Sequence, residues 1–136
     1  MNVALINPNR FHNPPTIPVG LEYLAHALRR AGHIVRLLDL CFVEDVAAAV
    51  DAFLAEQRPD VAMLSLRNVD SVINAADQFF LDEHRAIAER ITAAGVPLIV
   101  GGAGVVAMPE PIRAYLGADT VIVGPVSYTH LRAHET

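Results

Sequence analysis

Short apolar runs alternate along the chain with longer stretches in which apolar residues recur at helical spacing. Val3 to Ile6 is apolar at every position and stops at Asn7-Pro8-Asn9, which suits a strand buried on both faces. A loop rich in proline and asparagine follows. Gly20 to Gly32 then predicts a helix in which Leu21, Leu24, Ala25 and Leu28 share one face, with Gly32 placed to end it in the left-handed cap conformation. His33 to Leu40 is a second strand, and Asp45 can cap a second helix with Val46, Ala49, Val50 and Phe53 inward, stopped by Pro59. Val61 to Leu66 is a third strand. The polar stretch Arg67 to Ser71 leads into a longer helical region ending at Gly95, with Phe80, Ile87, Ala88 and Ile91 inward. Pro97 to Val100 is a fourth strand running into Gly101-Gly102-Ala103-Gly104. Pro111 to Leu116 is a short helix ended by Gly117, and Thr120 to Val123 is a fifth strand.

Three times a helix closes in Ala-Gly or Leu-Gly and a strand starts within a few residues, at Gly32, Gly95 and Gly117. Alternating strand and helix units, with strands too apolar for one wet face, predict an α/β fold. The expected form is a doubly wound, Rossmann-like parallel sheet with helices on both faces and right-handed crossovers. Five strands fit the flavodoxin-like order 2-1-3-4-5, truncated at the C-terminus. In such sheets ligands sit beyond the carboxyl ends of the strands, at the switch point between the first and third.

A length of 136 residues suits one domain. The apolar share of 53% is spread over short runs, and none approaches the roughly 20 residues of a membrane-spanning helix. No basic stretch precedes a long apolar one at the start, so a cytoplasmic location is expected. The net charge of −5 comes without a cluster of basic residues, which argues against nucleic acid as a partner. Cys41 is the single cysteine, too few for a disulfide or for a zinc or iron–sulfur site of its own. The segment 126–136 continues no periodicity and resembles a translated sequencing adapter. It is expected to be a non-native tail on a domain spanning 1–125, and its His130 and His134 are not taken as metal ligands.

Three loops fall at the expected carboxyl edge. Asn7 to Gly20 exceeds the usual connection of about two to six residues and is stiffened by Pro14, Pro15 and Pro18, as either a ligand frame or a lid. Ser65 to Ser71 offers Ser65, Arg67, Asn68 and Asp70, either to amide or phosphate substituents or to a turn. Gly101 to Gly104 permits close backbone approach of a ligand, and equally serves a tight strand-to-helix turn. There is no phosphate loop with Gly-Lys-Ser/Thr and no G-x-G-x-x-G after the first strand, which disfavours nucleotide-dependent transferase and nicotinamide readings. A receiver-type signalling or interaction domain wants clustered acids after the first strand and a lysine after the fifth, and neither is present. Asp39 reads as a turn or cap residue, His12 as a solvated loop residue, His26 and His33 as lying on a helix surface and at a helix end, and Tyr23 and Tyr115 as helix-packing residues. No catalytic set and no metal ligands are visible.

Taken together, five blocks resemble one family: Val3 to Pro8, Pro14 to Ala25, Ala31 to Val35 with Asp39, Pro59-Asp60 leading to Ser65 through Asp70, and Val100 to Gly104. The resemblance is to the cobalamin-binding domain that precedes the catalytic core of cobalamin-dependent radical S-adenosylmethionine enzymes. It implies a flavodoxin-like domain holding cobalamin at the carboxyl edge of its sheet. Beside it would stand a barrel carrying a 4Fe-4S cluster and S-adenosylmethionine, for methyl transfer or carbon-skeleton chemistry. The implied cofactor contacts are Asn7, Pro8, Pro18, Gly20, Ser65, Arg67, Asn68, Gly101, Gly102 and Gly104, with Gly124 closing the edge. The Asp-x-His-x-x-Gly motif that supplies an axial histidine in other cobalamin domains is absent.

Overall fold

The computed structural model describes residues 1–11, 15–67 and 80–124. The elements follow in the order β1 (Asn2–Asn7), α1 (Val19–Arg30), β2 (Ile34–Asp39), α2 (Val46–Gln57), β3 (Val61–Ser65), α3 (Leu81–Ala93), β4 (Leu98–Gly101), a 3-10 turn (Ala103–Val105), α4 (Pro109–Leu116) and β5 (Thr120–Val121). All pairings are parallel, as expected from the alternating pattern, and the strand order is β2-β1-β3-β4-β5, the flavodoxin-like order that five strands fit.

β1 explains the arrangement. Val3 through Asn7 are all buried, because β1 pairs with β2 on one flank and β3 on the other while helices cover both faces. On one face Ala4, Ile6, Ala62, Leu64, Leu98 and Val100 pack beneath helices α2, α3 and α4. On the other, Val3, Leu5, Val35 and Met63 meet Leu21 and Ala25 of α1. β2 is an edge strand and alternates accordingly, with Val35 buried and Ile34 and Arg36 exposed.

The caps follow the residues. The Asp45 carboxylate accepts the Ala48 N–H at 3.0 Å and starts α2. Three of the four helix-to-strand turns place glycine at positive φ, at Gly32, Gly95 and Gly117. The fourth puts Arg58 there, at φ 44° ahead of Pro59. Reciprocal bonds seal the same end of the sheet: Asn2 N–H to the Asp60 carboxylate at 2.7 Å, and Asp60 N–H to the Asn2 carbonyl at 2.8 Å.

Five differences from the sequence reading are informative. β5 is ordered as a strand only over Thr120–Val121, and α4 begins at Pro109, whose missing N–H suits a first-turn position. Phe80 caps α3 rather than lying within its inward stripe, and the buried position there belongs to Leu81. Tyr23 is 73% exposed and does not pack its helix. His84 is 1% exposed on the stripe formed by Leu81, Ile87, Ala88 and Ile91. Its spacing of three and four residues from those apolar neighbours was the available signal.

Replacing Asp45 by alanine should cost about 1 kcal/mol, the usual worth of an N-cap side chain. Urea unfolding followed by circular dichroism is expected to show a lower midpoint with an unchanged slope.

Candidate functional site

At the switch point the carboxyl ends of β1 and β3 diverge, and the polar side chains of the domain meet there. Asn7 closes β1 and is 3% exposed. Its Nδ2 donates to Asp39 Oδ1 at 2.9 Å, and its Oδ1 accepts from Asn9 Nδ2 at 2.5 Å and from the Asn9 N–H at 3.3 Å. Asp39 also accepts the Cys41 N–H at 3.0 Å, so it holds the turn after β2. Asn9 Nδ2 donates to the Ser65 carbonyl at 3.3 Å, and Asn9 Oδ1 accepts the Arg67 N–H at 3.2 Å. Arg67 is exposed, and its guanidinium donates to the Thr16 hydroxyl, tying the long first loop to the end of β3. The same loop is pinned by Arg10, which donates to the Val43 carbonyl at 2.5 Å, and by Phe11, whose ring lies 6.3 Å from that of Phe80.

Close backbone packing completes the edge. Leu66 N–H donates to the Gly101 carbonyl and Gly104 N–H to the Leu66 carbonyl, both at 2.8 Å. Gly102 has φ 97° and ψ 174°, a region essentially confined to glycine. A Cβ there would lie 2.4 Å from the Leu66 carbonyl oxygen. Gly20, in the first turn of α1, is the opposite case, because a Cβ would meet nothing within 4 Å.

Asn7, Pro8, Ser65, Arg67, Gly101, Gly102 and Gly104 are thus brought to one edge, and Pro18 and Gly20 border it through the first loop. Asn7 and Gly101 are buried supports, whereas Arg67 faces outward. Gly124 follows β5, one strand beyond β4. Asn68, Asp70, His12, Pro14 and the segment 126–136 lie outside the described residues. Asn9 and Thr16 were not singled out by sequence reasoning. Five exposed apolar side chains, Ile17, Phe42, Val106 and Met108 on loops and Val19 at the start of α1, stand at this end, each at least half exposed.

The chemistry of the edge is carboxamide, hydroxyl, the Asp39 carboxylate and the guanidiniums of Arg10 and Arg67, with exposed apolar side chains nearby. It suits a large, amide-decorated ligand better than a compact ion. Among the described residues no group of three acidic, histidine or cysteine side chains could hold a metal ion. His26 lies on the exposed face of α1 and His33 precedes β2 at the opposite end of the sheet. The Cys41 thiol, buried at the end of β2, is pushed up from its ordinary pKa by desolvation first and by the Asp39 carboxylate second, with Arg10 opposing.

Comparison with known proteins bears on this geometry. The profile of the B12 binding domain matches residues 13–132. Tryptophan 2-C-methyltransferase of Streptomyces laurentii is 35% identical over 127 residues, covering 90% of this chain and 21% of that protein. The structure of the radical S-adenosylmethionine methyltransferase TsrM from Kitasatospora setae, with cobalamin and a [4Fe-4S] cluster bound, superposes with a TM-score of 0.85. Identity is 34%, over 91% of this chain and 24% of that one. The chain therefore spans less than a quarter of the relatives it matches. A receiver domain of a sensor histidine kinase from Pseudomonas aeruginosa, 18% identical with a TM-score of 0.59 over 97% of this chain and 91% of that one, shares the fold alone.

Two outcomes test the edge. Gly102→Ala should destabilise the fold by more than about 2 kcal/mol, since the added methyl meets backbone in a forbidden region. A small or absent shift in thermal melting would contradict that packing. Alkylation of Cys41 by iodoacetamide should be slow in the native state at pH 8. Because its folded pKa is raised, stability is full at neutral pH and falls once pH exceeds about 8.5, where the unfolded thiol ionises first. Cys41→Ala should flatten that alkaline loss.

Proposed function

The chain belongs to the B12-binding domain family, and on that premise we propose that it holds cobalamin for a radical S-adenosylmethionine enzyme performing methyl transfer. The observation that carries this reading is the switch-point edge. Asn9 and Ser65 there hold Arg67 outward, beside an open first turn of α1 and a ring of exposed apolar side chains. In this reading the rest of the enzyme contributes a barrel with a 4Fe-4S cluster and S-adenosylmethionine, a proposal supported by the TsrM structure, which holds cobalamin and a [4Fe-4S] cluster. The reacting substrate lies with that barrel.

When bound, cobalamin supplies a cobalt centre that carries a methyl group between a donor and an acceptor. The residues of this chain bind and orient it. Arg67 donates to amide oxygens or to the phosphate of the nucleotide tail, the kind of charge-assisted bond that outweighs a neutral one. The Ser65 hydroxyl and the Gly102 and Gly104 backbone line the edge, and Asn68 and Gly124 are retained as proposed contacts. Pro18 stiffens the loop, and Gly20 lets the ligand approach the first turn of α1 without a side chain between. Ile17, Val19, Phe42, Val106 and Met108 exclude water once the ligand and the barrel cover them, each buried Å² contributing about 25 cal/mol. The described histidines would not supply a ligand to cobalt at this edge: His26 and His33 lie away from it and His84 is buried on the apolar stripe of α3.

No helix among the described residues is long and apolar enough to cross a membrane. A cytoplasmic location accords with the one free thiol, Cys41.

Titration of the complete protein with hydroxocobalamin, followed by corrin absorbance, tests the reading. Saturable binding is expected, and Arg67→Gln should weaken it by roughly 10-fold or more, the worth of one hydrogen bond to a charged group. Gly20→Ala should stabilise α1 by about 0.5 kcal/mol while weakening the ligand, a combination that no general loss of structure produces. A well-folded complete protein that binds no hydroxocobalamin would refute the reading and leave the fold alone standing.

A further inference from the structure

β1 leaves the ladder at Pro8. In the register of β1 against β3, Ile6 stands opposite Leu64, so Pro8 falls opposite Leu66, where proline has no N–H to donate. The vacant place is taken by the side chain of Asn9. Its Nδ2 donates to the Ser65 carbonyl at 3.3 Å and its Oδ1 accepts the Arg67 N–H at 3.2 Å. Ser65 and Arg67 flank Leu66. One bond to the carbonyl before and one from the N–H after is the pattern by which a strand residue engages a parallel neighbour. On its other flank Leu66 is held by Gly101 and Gly104, both at 2.8 Å. The main chain of 65–67 is therefore paired on both sides beyond the end of β3, although β1 has already turned away. The Asn7 carboxamide oxygen accepts twice from Asn9, which fixes which end of the Asn9 side chain is oxygen and which is nitrogen.

We propose that Asn9 is the positioning residue for Arg67: its carboxamide stands in for a strand residue and sets the main chain from which the guanidinium reaches the ligand. This rests on the reading of Arg67 as a cobalamin contact. Asn9 itself need not touch the ligand. Its loss frees the Ser65 carbonyl and the Arg67 N–H together, and leaves the Arg67–Thr16 bond as the side-chain tie between the first loop and the end of β3.

Amide hydrogen exchange on this chain, and a double-mutant cycle on the complete protein, test the assignment. Asn9→Ala should speed exchange of the Arg67 amide by at least about 10-fold while leaving the Leu66 amide, bonded to Gly101, within about twofold. Asn9→Asp keeps the acceptor and should keep most of the Arg67 protection, which separates a local effect from unfolding. In the cycle, Asn9→Ala should weaken hydroxocobalamin about 10-fold when Arg67 is present and by less than about twofold in the Arg67→Gln background. Equal losses in both backgrounds, or unchanged Arg67 exchange, would overturn the role of Asn9 while the cobalamin reading stood. Absence of binding by the unsubstituted protein would overturn that reading and this role with it, whatever the exchange pattern.

Discussion

Everything in this domain follows from placing β1 inside a parallel sheet, between β2 and β3. A strand flanked on both sides and covered on both faces has no exit to water for any polar side chain, so Val3 to Ile6 must be apolar throughout. After Val3 to Ile6 the next polar group is Asn7, where pairing with β2 ends, and it is at once consumed by Asp39 and Asn9. Polar side chains are thereby displaced to the two ends of the strand, and at the carboxyl end they gather into a network. The change of direction after β1, first to β2 and then back to β3, makes this edge the switch point of the sheet.

The edge is kept in shape by two opposite devices. At Gly102 the absence of a side chain allows β4 to turn against Leu66, with backbone meeting backbone. At Asn9 the presence of a side chain supplies what Pro8 withholds. One device depends on steric room and the other on donor and acceptor count, yet both act on the same three residues at the end of β3. The burial of Asn7, only 3% exposed, is tolerable because its carboxamide is satisfied on both ends.

Most of the fold was legible from the sequence, since apolar runs, glycine stops and the Asp45 cap are local signals that the parallel order then organises. The members of the edge were legible as loop positions, and the resemblance to cobalamin-binding domains selected among them. What local pattern could not supply was their division of labour. Asn9 meets Ser65 and Arg67 across 56 and 58 residues, a pairing that exists only once β1 and β3 are in register. Tyr23 read as a packing residue because aromatic residues on helices commonly pack, but its position on α1 points it away from the sheet, and 73% of it is exposed. His84 was passed over because a polar residue type masked its place on an apolar stripe.

The helix-to-strand turns at the other end of the sheet lead to one more conclusion. Gly32, Arg58, Gly95 and Gly117 form them through backbone handedness, and their contacts there are largely main chain to main chain. That end asks of its turn residues little more than the ability to turn left, with the Asp60 and Asp119 carboxylates closing it on the main chain of Asn2 and Leu98. The carboxyl edge, by contrast, is held by side chain meeting side chain, through Asn7, Asn9 and Asp39. Substitutions at the edge therefore act on what the domain can hold, while the turns at the opposite pole govern how the chain is wound.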